Sequence, residues 1–161
     1  MLEAIAASIE ATALSQALRS SLWLYPLVNT AHIVGIALLV GGIAPLDLRL
    51  LGCWRTVPLA PLVRTLVPMA MAGLILAMLS GLLLLATRPL DYAAEPLFGI
   101  KMAALAAAVL NALALRLSPH WRSMAVTGGD DGVRPAWRFA ALLSLTLWLG
   151  VLTAGRLIAY R

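Results

Sequence analysis

Four long apolar stretches, separated by short polar connectors, organise the chain. They cover residues 22–46, 66–87, 97–115 and 139–158. A helix needs about 20 apolar residues to cross a hydrocarbon layer about 30 Å thick, and each stretch has roughly that length. Because lipid offers the backbone no hydrogen-bonding partner, such stretches are expected to be helical. The pattern predicts an all-α integral membrane protein with four spans.

The connectors are short and contain helix-breaking residues. Pro58 lies in the first, Pro89 in the second, and the third contains Pro119 and the turn-rich run Gly128-Gly129-Asp130-Asp131-Gly132. Short links join neighbouring helices that run in opposite directions. We therefore predict an antiparallel up-down four-helix transmembrane bundle that forms one domain over residues 21–161.

Residues 1–20 have a different pattern. Polar and charged residues separate apolar ones that recur at roughly helical spacing, at Leu2, Ile5, Ile9, Ala13 and Leu18. This spacing is typical of a short amphipathic helix that lies on the membrane surface. An irregular lead-in to the first span is the alternative.

The composition agrees with lipid as the solvent. Of the 161 residues, 62% are hydrophobic and 12% are charged, whereas soluble domains are about half apolar and about a quarter charged. The net charge of +5 comes from arginines near the span ends rather than from a basic run with interleaved aromatics. We therefore expect membrane lipids, and not nucleic acid, as partners. Cys53 is the single cysteine, so no internal disulfide forms.

Basic residues are divided unequally between the two sides of the predicted bundle. The side with the first and third connectors carries Arg49, Arg55, Arg64, Arg116, Arg122, Arg134 and Arg138. The other side carries Arg19, Arg88, Lys101, Arg156 and Arg161. Because cytoplasmic loops are enriched in basic residues, the first side is expected to be cytoplasmic. Both termini would then be periplasmic, in a bacterial inner membrane.

His32 is the clearest candidate functional residue, because ionisable groups inside a span are costly and mark functional sites. It lies about ten residues into the first span, near the midplane. Asn29 and Gly35 lie one turn to either side of it and share its helix face. Gly35 would leave room for a flat ligand, and Asn29 or a backbone carbonyl would orient the imidazole. A neutral histidine that is hydrogen-bonded to a neighbouring helix is the alternative.

Three cations are expected near the outer ends of three different helices: Arg88, Lys101 and Arg156. They suit either the carboxylates of an anionic cofactor or the phosphates of lipid headgroups. Lys101 can extend to the interface or reach inward toward His32.

Other polar and small residues have simpler expected roles. Asp47 and Arg49 would form a local ion pair or anchor the span end, with a proton or ion pathway as the alternative. Asn111 would make a hydrogen bond between helices. Glycines of the second and fourth spans are expected at close helix contacts or beside a planar ligand; they are Gly73, Gly81, Gly150 and Gly155.

The sequence lacks a copper path and a hydrolytic motif. Met69 and Met71 are two residues apart and point to different helix faces, and no Met-x-x-Met or His-rich run occurs. His120 is expected on the cytoplasmic side, about 15 Å or more in depth from His32, so the two histidines do not hold one metal or one heme. No nucleophile, zinc or phosphate-loop motif is present, and the sequence assigns no enzymatic reaction.

Several short motifs resemble known membrane families over about residues 20–115. They are Ala31-His32-Ile33, Leu46-Asp47-Leu48-Arg49-Leu50-Leu51-Gly52, Ser80-Gly81-Leu82-Leu83-Leu84, Leu97-Phe98-Gly99-Ile100-Lys101 and Leu110-Asn111-Ala112-Leu113. The chain resembles an uncharacterised bacterial family of small four-helix membrane proteins. More distantly, it is similar to the CopD-type copper-resistance domain and to HemJ, the membrane protoporphyrinogen oxidase. HemJ-type proteins pair a first-span histidine with a third-span lysine and are associated with heme b; by this resemblance the pair is His32 and Lys101.

These observations predict a membrane heme b-binding protein or a small electron-transfer subunit, with its site in the outer half of the bundle. His32 would be an axial ligand, and Lys101 a second ligand or a partner of a propionate, while Arg88 and Arg156 would neutralise propionates. A quinone or a periplasmic protein would be the redox partner. One alternative is copper transport or handling, with His32 as the metal ligand. Another is a structural anchor without cofactor, in a larger complex or a homo-oligomer.

Overall fold

The computed structural model describes residues 8, 10–127, 133–158 and 160, and no strand occurs among them. The helices are, in chain order, α1 (Ala13–Ser20), α2 (Leu24–Leu51), α3 (Leu59–Thr87), α4 (Pro89–Ala94), α5 (Pro96–Leu117), α6 (Pro119–Thr127) and α7 (Pro135–Ile158). Four of them, α2, α3, α5 and α7, are long and apolar enough to cross a membrane. The predicted helical class and the four long apolar helices are therefore confirmed.

The first long helix extends past its apolar stretch. Hydropathy ended it at residue 46, whereas α2 continues to Leu51. Gly52, with φ 112°, adopts the left-handed conformation, and its N–H donates to the Arg49 carbonyl. The N–H of Cys53 donates to the Leu48 carbonyl at 3.0 Å, which completes a Schellman motif. The helix therefore ends where its carbonyls find donors rather than where the apolar stretch ends.

Two connectors that the sequence analysis treated as breaks contain helices. Pro89, Pro96 and Pro119 each occupy the first helical position, where proline lacks only an N–H that would stay unbonded. The Glu95 side chain accepts a hydrogen bond from the N–H of Leu97 and caps α5. The predicted turn over residues 128–132 lies outside the described residues.

The backbones of α2 and α3 pack closely because glycines face each other. A Cβ atom built on Gly73 would lie 2.4 Å from the backbone nitrogen of Leu39, and one on Gly35 would lie 2.6 Å from the backbone nitrogen of Ala77. Gly42 lies against the Leu66 carbonyl in the same way. Small residues at such positions let the helix backbones approach closely and gain dispersion energy.

The four long helices pack in the order α3, α2, α7, α5. The backbone of α2 lies beside those of α3 and α7, and α5 lies beside α7. Within the described part of the chain, the backbones of α3 and α5 make no close approach, although α6 contacts both. The α3–α5 side is therefore the least closely packed side of the bundle.

Large buried side chains concentrate in one end of the bundle, here called the tryptophan end. Trp121 and Trp137 pack edge to face there, with ring centroids 5.2 Å apart. Their cluster also contains Leu46, Leu50, Leu59, Ala60, Val63, Met124 and Ala141. A second cluster of Leu39, Ala70, Ala108 and Trp148 takes one residue from each long helix and forms the middle layer. Beyond that layer lies the part called here the histidine half, which contains His32, Ser80, Lys101 and Gly155.

Helix α1 docks on the end of α3. The side chain of Thr12 caps α1, and both Ser15 and Leu18 are buried. The Ser15 hydroxyl donates a hydrogen bond of 2.8 Å to the carbonyl of Ala86, near the end of α3. The amphipathic helix predicted over residues 1–20 lies partly outside the described residues, and α1 is the part within them.

Candidate functional site

The His32 ring is tied to the neighbouring helix α3. Its Nδ1 lies 2.9 Å from the carbonyl oxygen of Ala77. A carbonyl oxygen only accepts hydrogen bonds, so Nδ1 carries the proton and Nε2 keeps its lone pair. A backbone carbonyl therefore fixes the tautomer, as is typical of histidines that bind a metal through Nε2.

Ser80 is a second partner of the ring. It is buried, and its Oγ lies 3.1 Å from His32 Nδ1. The Ser80 hydroxyl donates to the carbonyl of Leu76 at 2.6 Å, which leaves the oxygen free to accept from Nδ1–H. The sequence analysis included Ser80 only in a motif. A hydroxyl beside a glycine in an apolar span was the signal that it did not use.

The small residue beside the imidazole is Gly81. A Cβ atom on Gly81 would lie 3.1 Å from His32 Cε1, tighter than ordinary side-chain contacts. Gly35, which the sequence placed beside the ring, is instead covered by the backbone of α3 at Ala77. The two glycines therefore differ in role, because Gly35 admits the neighbouring helix and Gly81 admits the ring.

Lys101 lies on α5, across the bundle from α2. Its side chain is half-buried and runs along Gly155 of α7, where a Cβ atom would lie 3.4 Å from Nζ. The ammonium group is within electrostatic range of the His32 ring. The histidine and the lysine thus belong to one region of the bundle, on helices that are not neighbours.

The other predicted site residues lie at the surface. Asn29, Arg88 and Arg156 are all exposed. Arg156 donates to the Tyr160 hydroxyl at 2.7 Å and stacks over its ring, 4.6 Å from the centroid. The orienting partners of His32 are therefore the Ala77 carbonyl and Ser80 rather than Asn29.

A bare metal ion finds few ligands in the described residues. They contain no group of three or more His, Cys, Asp or Glu side chains that would hold one. Met71, Met78 and Met102 are exposed on the helix surfaces, and His120 is exposed on α6. A heme differs, because its macrocycle supplies four nitrogen ligands and needs only an axial ligand from the protein.

Three polar residues outside the site also have defined partners. The Asn111 side chain donates to the carbonyl of Ala140 at 2.9 Å, so the predicted bond between helices is confirmed. Arg49 is buried and donates to the carbonyls of Val57 and Arg55 in the first connector. Asp47 is buried and hydrogen-bonds with Ser144 of α7.

No family model, curated protein or solved structure matches this chain.

Proposed function

We propose that the chain is an integral membrane protein whose four long helices cross the bilayer. Many large apolar side chains on these helices are exposed, among them Ile33, Val34, Ile75, Leu79, Leu82, Leu110, Leu142 and Leu149. Exposure of apolar area to water costs about 25 cal/mol per Å². Soluble monomers rarely expose contiguous apolar surfaces of this extent, whereas lipid favours them.

An up-down topology and a cytoplasmic tryptophan end follow in this proposal. Leu50 and Leu59, which flank the first connector, share one cluster with Trp121, within the third connector, and Trp137, which follows it. This shared cluster supports antiparallel neighbours with both connectors on the same side. That side carries the larger share of arginines, and the positive-inside rule makes it cytoplasmic in a bacterial inner membrane. Exposed Trp23 would then mark the periplasmic interface, where both termini lie.

We further propose that the histidine half binds heme b through His32. The observation that carries this proposal is the Nδ1–H bond to the Ala77 carbonyl, which leaves Nε2 as a ligand of fixed direction. Bound heme supplies a one-electron couple of its iron, which the protein tunes through the axial ligand and the surrounding dielectric. The residues of this chain hold, orient and shield that group.

The support for a planar ligand is the separation of α3 from α5, whose backbones make no close approach within the described residues. Gly81 adds no space for the ligand, because the His32 ring itself packs against this glycine. Lys101 would supply a second ligand or pair with a propionate, with Arg88 and Arg156 near enough to the surface to neutralise propionates. Their exposure suits groups that reach the membrane interface.

Electron transfer would be the activity, with a quinone in the bilayer or a periplasmic protein as the partner. The described residues contain no group of three or more His, Cys, Asp or Glu side chains that would hold a metal ion for another reaction. The resemblance of the His32 and Lys101 pair to the HemJ pair adds support to heme as the cofactor. Copper handling is disfavoured because three of the candidate methionines, Met71, Met78 and Met102, lie on exposed helix surfaces.

A structural anchor without cofactor is the second candidate, and the same hydrogen bond favours it. The bond from His32 to Ala77 joins α2 to α3 whether or not Nε2 binds a ligand. Bonds between membrane helices contribute about 0.6 kcal/mol on average. In this case the histidine stabilises the helix pair, and the chain acts within a larger complex or a homo-oligomer.

An absorption spectrum separates the two candidates. The full chain, produced with heme supplementation and purified in mild detergent, is expected to show a Soret band. The intensity of the band should correspond to about one heme per chain. His32→Ala should lose that band, while His120→Ala, which removes an exposed histidine, should keep it. Thermal unfolding and size-exclusion profiles of each variant verify that the bundle is folded.

A wild-type chain without a Soret band after heme supplementation contradicts heme binding and supports the anchor. A full Soret band in folded His32→Ala contradicts His32 as the ligand. In the anchor case, His32→Ala should lower stability slightly and leave assembly intact.

A further inference from the structure

A second polar site lies at the opposite side of the middle layer, between α2 and α7. Asp47 of α2 is 5% exposed, and Ser144 of α7, 7% exposed, hydrogen-bonds to its carboxyl group. Its other oxygen, Oδ2, is buried and has no hydrogen-bond partner within the described residues. The heme proposal does not involve this carboxyl group.

An unpartnered donor lies in the adjacent layer of the same interface. Trp148 is 6% exposed, and its indole Nε1 also lacks a partner in the described part of the chain. Trp148 follows Ser144 by one turn of α7, and Ile43, one turn before Asp47 on α2, packs against the Trp148 cluster. The unpartnered acceptor and the unpartnered donor therefore belong to side chains about one helical turn apart, on two helices that pack against each other.

The two unpartnered atoms define the chemistry of the ligand. A buried polar atom without a hydrogen bond costs about 1–3 kcal/mol, so a ligand that serves both is favoured. It must interact with a carboxyl oxygen and accept a hydrogen bond from an indole N–H. A metal cation satisfies only the first condition, because it has no lone pair for the indole. Water satisfies both.

We propose that the α2–α7 interface binds water between Asp47 and Trp148, and that Asp47 takes up and releases a proton through it. When the carboxyl group is ionised, the water donates to Oδ2 and accepts from Trp148 Nε1. A hydronium ion that arrives at this place transfers its proton to Oδ2, and the water that remains accepts from both groups. The same water molecule thus satisfies both protonation states, which makes the transfer reversible.

The titratable and charged groups on the helices around Asp47 are basic. At the level of Asp47, the helices α2, α3, α5, α6 and α7 carry six such groups, which are Arg49, Arg64, Arg116, His120, Arg122 and Arg138. The Arg49 guanidinium is directed to carbonyls of the first connector, and the other five residues are exposed. Ser144 is the side chain that bonds with the Asp47 carboxyl group.

Infrared difference spectroscopy after a pH change tests this proposal on the full chain in liposomes. The wild type is expected to show the C=O stretch of a carboxylic acid that disappears on ionisation, together with a water O–H band that shifts in H₂¹⁸O. Asp47→Asn should abolish both signals. Asp91→Asn, which removes an exposed carboxylate in α4, should leave both unchanged.

Trp148→Phe tests the shared water. In this variant the carboxylic acid band of Asp47 should remain but shift in frequency. The water O–H band should disappear. A wild-type spectrum identical to that of Asp47→Asn overturns the proton site, and an ¹⁸O-insensitive spectrum overturns the bound water. If folded Trp148→Phe gives the wild-type bands unmoved, the role of the indole is overturned. The ¹⁸O measurement on the wild type decides the water even where Trp148→Phe does not fold.

Discussion

The tryptophan end and the histidine half are packed by different means. At the tryptophan end, large side chains such as Leu50, Leu59 and Trp137 are almost fully buried. In the histidine half, the buried residues of the long helices are small or polar, including Ala77, Ser80, Thr87 and Ala154. The tryptophan end is therefore stabilised by the packing of large side chains, and the histidine half by close backbone approach and hydrogen bonds.

This difference in packing determines where the bundle has space for a ligand. A region filled by leucine and tryptophan has no space for a ligand, whereas a region built from glycine and alanine can place helices close together at one point and leave them apart at another. In this bundle α2 and α3 touch through Gly35 and Gly73, while α3 and α5 stay apart. The polar residues with candidate cofactor chemistry, His32 and Lys101, lie in the half that has this freedom.

The largest expected effect comes from filling the glycine contact. Gly73→Leu places a side chain where even a Cβ atom would lie 2.4 Å from the α2 backbone, so the two helices must separate. We expect a loss of more than about 5 kcal/mol of unfolding free energy, or no folded protein at all. Denaturant titration in mixed micelles, followed by circular dichroism, measures it.

A matched control for this variant is Gly150→Leu. A Cβ atom on Gly150 has nothing within 4 Å, so the same substitution in α7 should change the unfolding free energy by less than about 0.5 kcal/mol. If the two variants lose similar stability, close backbone packing is not what holds α2 against α3.

A somewhat smaller effect is expected from removing volume at the other end. Trp137→Ala leaves a cavity beside Trp121 and should cost about 3–5 kcal/mol. The exposed neighbour Phe139 provides the control, because Phe139→Ala removes an aromatic ring without creating a cavity. Equal losses in the two variants would show that the tryptophan cluster does not stabilise this end. The same denaturant titration applies.

The smallest expected effect concerns Tyr92, in the connector helix α4 beside the histidine half. Burial, helped by the nearby Tyr25 and Asp91, raises the pKa of the Tyr92 hydroxyl above its ordinary value of about 10. The folded state then holds this proton more tightly than the unfolded state. The contribution of Tyr92 to the unfolding free energy should therefore be constant below about pH 10. It should fall as the pH rises from the pKa of this tyrosine in the unfolded state to its higher pKa in the folded state.

Alkaline difference absorption of the wild type against Tyr92→Phe measures this titration. The difference should show a tyrosine that ionises above pH 10, and Tyr92→Phe should weaken the alkaline fall in unfolding free energy. A Tyr92 signal that titrates at or below the ordinary value would contradict the burial of this hydroxyl.

Hydropathy and length were sufficient to predict the four long helices, because a span must be apolar over a fixed distance. They did not predict where α2 ends, because the end depends on the Gly52 cap, nor that the second connector contains α4. Proline was taken as a break, although at a first helical position it starts a helix.

The candidate site was predictable only in part. His32 stood out because an ionisable group in an apolar stretch is rare, and the sequence left open a hydrogen bond to a neighbouring helix, which is found at Ala77. Ser80 and Gly81 were not assigned to the ring, because they lie 48 and 49 residues further along the chain. Periodicity within one helix does not determine which face of another helix it meets.

The hydrogen bond from Ser15 to Ala86 has a consequence for the order of assembly. The two residues are 71 positions apart, and the acceptor lies near the end of the second long helix. During synthesis, the Ser15 hydroxyl of α1 therefore cannot form its hydrogen bond to Ala86 until α2 and nearly all of α3 have left the ribosome. Of the described helices, α1 is the earliest in the chain, yet its hydrogen bond to α3 can form only after α3 has been made.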